Sequence, residues 1–199
     1  YRASDNDGLW TSLYVAAQSF RYAATGQPNA KKLARRSMMA IIQLESVTPI
    51  DGFPARAIIQ KGEPVDKSHG EWHDTEDGLS EWKGDTSSDE LDGHLFAYSV
   101  YHDLVADEKE KQNMAEVVHR IMTHIVDNDF LLIDLDGQHT TWGVWTPRML
   151  NGEWKLQRNL NSLEILSMLK TAHHITGDHK FHQVHLHLYP TTPLRTQFN

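Results

Sequence analysis

Asp85, Asp89, Glu90, Asp92 and His94 crowd into one ten-residue stretch, and a second acidic cluster, Asp5-Asn6-Asp7-Gly8, stands near the first residue of the chain. Carboxyls in pairs suit hydrolysis of a glycosidic bond, where one protonated carboxyl leaves with the glycosidic oxygen and one ionised carboxyl activates water or attacks carbon. Crowded like charges raise one pKa, which keeps an acid protonated near neutral pH. The catalytic candidates are therefore Asp85, Asp89, Asp7 and Asp5. All but Asp85 compete with a local structural role. Ser87-x-x-Glu90 matches a capping box, and Asp7 or Asp5 suits a helix N-cap with Asn6 making a turn. Asp85 precedes the cap and lies in loop, outside that explanation.

The six tryptophans, Trp10, Trp72, Trp82, Trp142, Trp145 and Trp154, all fall on or beside the long approaches to helices and none on the short turns. Trp10, Trp82, Trp142 and Trp145 are candidate stacking platforms for sugar faces, against the alternative of hydrophobic staples that tie loops down. Arg56, Lys83, Arg148 and Arg158 also lie in the long connections, where bases around a cleft would receive an anionic ligand. That supports a second chemistry, a uronate polysaccharide lyase, with Asn161 or an arginine neutralising the uronate and His94 or a tyrosine such as Tyr98 taking the C5 proton. A third reading is a non-catalytic carbohydrate-binding or assembly module, in which the tryptophans bind and the acids only cap helices. Asn161 and Glu164 themselves have capping-box spacing. His179, His182, His185 and His187 lack a carboxylate partner in sequence, so no metal is assigned. No phosphate-cradling glycine loop, serine elbow or dinucleotide fingerprint appears, and no cofactor is expected.

Three segments must position these groups: Leu9 to Phe20, Leu91 to Val105 and Leu160 to Ile175 are apolar nearly all round, as buried helices are. Two of them precede amphipathic segments, one with Ala34, Met38, Ile41 and Ile42, the other with Met114, Val117, Val118, Ile121 and Ile125. A third partner, His179 to Leu188, is short and rich in histidine. Gly26 and Gly177 are placed to end the inner helices. The inner-to-outer turns are short, whereas the returns, Val47 to Thr86 and Asp127 to Asn159, run to about 40 and about 30 residues, far above ordinary connections. The second return holds a β-hairpin signal, Leu131 to Leu135 and Thr140 to Trp145 around Asp136-Gly137. Consecutive inner helices then run parallel, and the long loops converge with their N-termini on one face. The expected fold is all-α, a partial α/α toroid of about three helical hairpins, with residues 1–188 as one domain and 189–199 as an irregular tail.

Asp5-Asn6-Asp7-Gly8-Leu9-Trp10-Thr11, the run Trp82 to Glu90, Thr141-Trp142-Gly143-Val144-Trp145 and Leu160-Asn161-Ser162-Leu163-Glu164 resemble the six-hairpin glycosidase-like superfamily over roughly residues 5–180. The likeness is to a bacterial branch that brings no assigned activity with it. It implies inner helices packed around an axis, an active cleft at the long-loop face and an oligo- or polysaccharide as partner. Three hairpins are half of that family's six, so the resemblance further implies a fragment of a larger toroid, or an arc that closes on a missing half or a second copy.

The totals narrow the classes. Acids outnumber bases 27 to 19, and the net charge is −8. The bases form no run that could track phosphates, so no nucleic acid is expected. No apolar stretch reaches the roughly 20 residues of a membrane span. Cysteine is absent, which removes disulfides and thiolate chemistry but suits an exported protein as well as a cytosolic one. The compartment stays open, with a periplasmic or extracellular place favoured.

Overall fold

A computed structural model describes residues 3–68, 70–152 and 158–189. Helix α1 (Asp7–Thr25) ends at Gly26 and α6 (Arg158–Thr176) ends at Gly177, both with positive φ (66° and 69°), as the glycine placement predicts. Each is followed at once by its partner, α2 (Pro28–Ser46) with proline in its first turn, and α7 (His179–Leu188), where the Asp178 carboxylate accepts from Lys180 N at 2.8 Å. Between them, α3 (Ser88–Leu104) leads into α4 (Glu108–Asp127). A full Asp107–Glu110 capping box starts α4, and the Tyr101 hydroxyl and Arg35 both donate to Glu110. The chain is mostly helical, with one further short helix, α5 (Pro147–Asn151), in the second return. No described helix is long and apolar enough to cross a membrane.

The first return differs from expectation. It carries three short antiparallel strands, β1 (Ala57–Gln60), β2 (Trp72–Asp74) and β3 (Ser80–Lys83), in the order β1-β3-β2. Central β3 sets Trp82 opposite Ile58 on one side and His73 on the other. Trp82 is fully buried there, packed edge-on against Phe53 and tilted against the His73 ring at 4.5 Å between centroids. The second return forms the expected hairpin, β4 (Leu131–Ile133) with β5 (His139–Val144), and Gly137 has the positive φ of its turn. Of the expected tail, only Tyr189 lies within the described residues.

The helices lie in two rows. α3 packs between α1 and α6, while α2, α4 and α7 cover one side of that row. Arg35 of α2 meets Asp107 and Glu110 at the start of α4, and Glu45 near the end of α2 accepts from Nε and Nη2 of Arg120 at 2.7 Å, so α2 and α4 run the same way. The apolar circumference of the inner helices predicts burial on several sides. Part of it stays exposed, at Leu13 and Phe20 of α1, Phe96 of α3 and Leu160 and Leu163 of α6, and the last three line one groove between α3 and α6.

α1 and α3 approach closely because Gly93 has no side chain. A Cβ there would lie 2.7 Å from Leu9 Cα, and backbone cannot step aside as a flexible side chain can. Gly93→Ala is expected to cost about 1–3 kcal/mol from overpacking. A thermal melt checks it, and an unchanged melting temperature would mean that this helix contact does not limit stability.

Candidate functional site

The first three N–H groups of α1, which no carbonyl of the helix reaches, find acceptors outside it, and the fourth makes the first intrahelical bond. Asp7 N donates to the Arg56 carbonyl at 3.2 Å, Gly8 N to Glu90 Oε1 at 3.2 Å, Leu9 N to Glu90 Oε2 at 2.9 Å and Trp10 N to the Asn6 carbonyl at 3.2 Å. Glu90 is therefore a cap, but of the neighbouring helix and not of its own. Its own helix is capped by the Ser87 hydroxyl, which accepts from Glu90 N.

The two acidic clusters are joined through Arg56 and backbone carbonyls. Arg56 donates to the carbonyls of Asp5 and Asp85 and, at 2.9 Å, to the Asn6 side chain, whose oxygen also accepts from Ser87 Oγ. Arg56 is thus a latch between the start of α1 and the loop before α3. The carboxylates themselves are taken up locally. Asp5 pairs with the buried Lys83 ammonium, and Asp7 accepts from Ser4 N and Oγ. Asp85 sits at φ 49°, gives its N–H to Asp134 Oδ2 at 2.7 Å and accepts from Thr141 N at 2.6 Å. It ties the two long returns together and also lines a small acidic cleft with Glu71, Asp134 and Asp136.

Several expected binding residues are corrected by burial. Trp82 and Trp145 are fully buried and present no face to a sugar. Trp145 Nε1 instead donates to Glu164 Oε2 at 2.9 Å. Asn161 is buried inside α6, three residues past its start, and donates to the Val144 carbonyl, so it is no N-cap. His94 and Tyr98 are buried too, with His94 Nε2 3.7 Å from Glu90 Oε2 and its Nδ1 3.5 Å from the Tyr98 hydroxyl. Burial drives His94 down to about 3 and the Tyr98 phenol upward. Neither reaches solvent to abstract a substrate proton.

Other expected platforms stay open. Trp10 is 62% exposed and, with Asp7, Tyr14 and Arg36, lines a cleft of about 880 Å³ between α1, α2 and β1. Trp142 on β5 and Arg148 on α5 are exposed. Trp154 and the Arg158 side chain lie outside the described residues.

The acids that meet in space are others. Asp92 on α3 and Glu164 on α6 line one groove of about 390 Å³ with Phe96, Ser99, Leu163 and Ser167. Burial first, then the charge of its neighbour, raises Glu164, and burial raises Asp92; the exposed carboxylate of Asp89 pushes both further up. Among the described residues Glu164 Oε1 meets no N–H or O–H donor, so its contact with the Asp92 carboxyl becomes a hydrogen bond only when the two acids hold a proton between them. Among the expected catalytic residues only Asp89 stands beside this pair. The overlooked signal was a polar stripe on helices otherwise apolar: Glu164, Ser167 and Thr171 at i, i+3 and i+7, facing Asp92 and Ser99.

Compared with models of known protein families, with curated proteins and with solved structures, the chain has no match in any of the three. The six-hairpin reading thus rests on the helix order and motif residues of this chain.

Proposed function

We propose that the chain is a carbohydrate-active protein built as an arc of an α/α toroid, and that it hydrolyses glycosidic bonds in the groove between α3 and α6. The observation that carries this reading is the Asp92–Glu164 carboxyl pair, raised by burial in the wall of a groove that both residues line, with Asp92 half-buried and Glu164 buried behind it. A carboxyl kept protonated near neutral pH is the general acid that a leaving glycosidic oxygen requires. Trp145 fixes Glu164 from behind through its indole N–H. Asp89, exposed and three residues before Asp92 on the same helix face, takes the role of base or nucleophile, its charge near enough to raise both members of the pair. The hydroxyls of Ser99, Ser167 and Thr171 offer hydrogen bonds to sugar hydroxyls, and Phe96, Leu160 and Leu163 supply apolar area for sugar faces. A second reading, a binding module, is favoured by one separate observation, the exposed Trp10 and Tyr14 in the larger cleft beside α1.

The test is a panel of neutral and uronic-acid oligosaccharides, following reducing ends and absorbance of unsaturated products together, with Glu164→Gln beside the wild type. Reducing ends that vanish in Glu164→Gln are expected. New absorbance would replace hydrolysis with elimination. Silence on both channels with a sugar-dependent change in tryptophan fluorescence would support the binding module and sink the hydrolase.

A further inference from the structure

α3 and α6 carry the acid pair in their N-terminal halves and bring a different chemistry together at their other ends. In the last turns of the same two helices, His102 Nδ1 lies 2.8 Å from Asp103 Oδ1, and His174 Nε2 lies 2.8 Å from that same oxygen and 3.1 Å from Oδ2. The two imidazole rings stand 5.6 Å apart between centroids, and one ligand atom from each of the three side chains falls within 4.8 Å of the others. We propose that His102, Asp103 and His174 form a binding site for a divalent transition metal of the zinc type.

The geometry and the donor set agree with that class. A metal at ~2.0–2.2 Å from imidazole nitrogen and carboxylate oxygen places tetrahedral ligands about 3.3 Å apart, so the two 2.8 Å contacts need to open only by about half an ångström. Two imidazoles with one carboxylate suit zinc, copper or nickel, whereas calcium and magnesium take oxygen ligands. Three protein ligands leave a fourth position for water. The site lies at the C-terminal ends of two helices, where the backbone dipoles favour a cation. From Asp92 to Asp103 the helix rises by about 16 Å at ~1.5 Å per residue, so the metal stands apart from the acid pair and does not depend on the hydrolase reading.

The nearby histidines provide the control. His173, His179 and His182 pack ring against ring at 5.2 Å without a carboxylate among them. Isothermal titration of the full chain with zinc chloride at neutral pH is expected to show one tight event that weakens at least tenfold in His174→Ala and in Asp103→Asn and is unchanged in His182→Ala. Cobalt(II) should give the visible absorption of a tetrahedral site in the wild type and lose it in both site variants. If His174→Ala fails to fold by circular dichroism, the near-isosteric Asp103→Asn decides alone. No tight event, a tight event untouched by Asp103→Asn, or one removed by His182→Ala would each overturn the assignment.

Discussion

Glu90→Ala should unfold at markedly lower denaturant than the wild type, with a loss of about 2–4 kcal/mol. The substitution strands the N–H groups of Gly8 and Leu9 at a buried helix start, where an unmade hydrogen bond costs ~1–3 kcal/mol each. The gain from deleting a buried carboxyl offsets part of that. Burial pushes Glu90 up to about 8, against the pull of the two amide hydrogen bonds and of Arg56. The sign follows from linkage: a carboxyl whose folded pKa lies above its ordinary 4.5 contributes stability in full below that value and loses it as pH rises through about 8. Wild-type stability therefore falls across this window, and the slope should flatten in Glu90→Gln. The glutamine keeps one acceptor but turns an NH₂ toward the other amide, so its loss at acid pH is expected to lie between wild type and alanine. A chain of this size shifts by roughly 2–4 °C in Tm per kcal/mol. A melting temperature for Glu90→Ala within a degree of wild type would show that water replaces the cap and that α1 and α3 are not joined there.

The same residue shows what the sequence could and could not reveal. Ser87-x-x-Glu90 reads correctly as cap chemistry, yet the helix that Glu90 caps lies more than eighty residues back along the chain. Local patterns carry helix starts, glycine ends and the Asp136-Gly137 hairpin because those depend on neighbours in sequence. The three-stranded sheet escaped because its strands are only 3 to 4 residues long, too short for an alternation to register. The tryptophans misled in a comparable way. A large aromatic near a long loop serves equally as a platform or as a plug, and only the packing of Phe53 and His73 on Trp82, or of Glu164 on Trp145, separates the two. The acidic clusters were visible as clusters, but which carboxyls meet depends on the side-by-side placement of α3 and α6. Asp5, Asp7 and Asp85 meet lysine, serine or backbone, and Asp92 meets Glu164.

That meeting sets the second large effect, because Glu164→Gln should move activity and stability in opposite directions. The glutamine oxygen still accepts from Trp145 Nε1, and its NH₂ can donate to the Asp92 carboxylate, so no buried group is left unpaired. In the wild type both acids titrate high, Asp92 at about 6 and Glu164 at about 7, as one coupled pair. By linkage their contribution is complete below pH ~4 and is lost as pH rises through those values, because above them two carboxylates face each other in a poorly solvated groove. Glu164→Gln removes that repulsion and is expected to stabilise the chain by on the order of 1–3 kcal/mol at pH 8, with little change at pH 4. Activity should fall by about 10²–10⁴-fold, the usual worth of a positioned general acid. The wild-type rate should decline as pH rises through the pair's titration, and the variant's residual rate should lack that limb. A merely structural pair predicts the stability change without the loss of the limb. A variant that is less stable at pH 8 would mean that the two carboxyls are held together by something other than a shared proton.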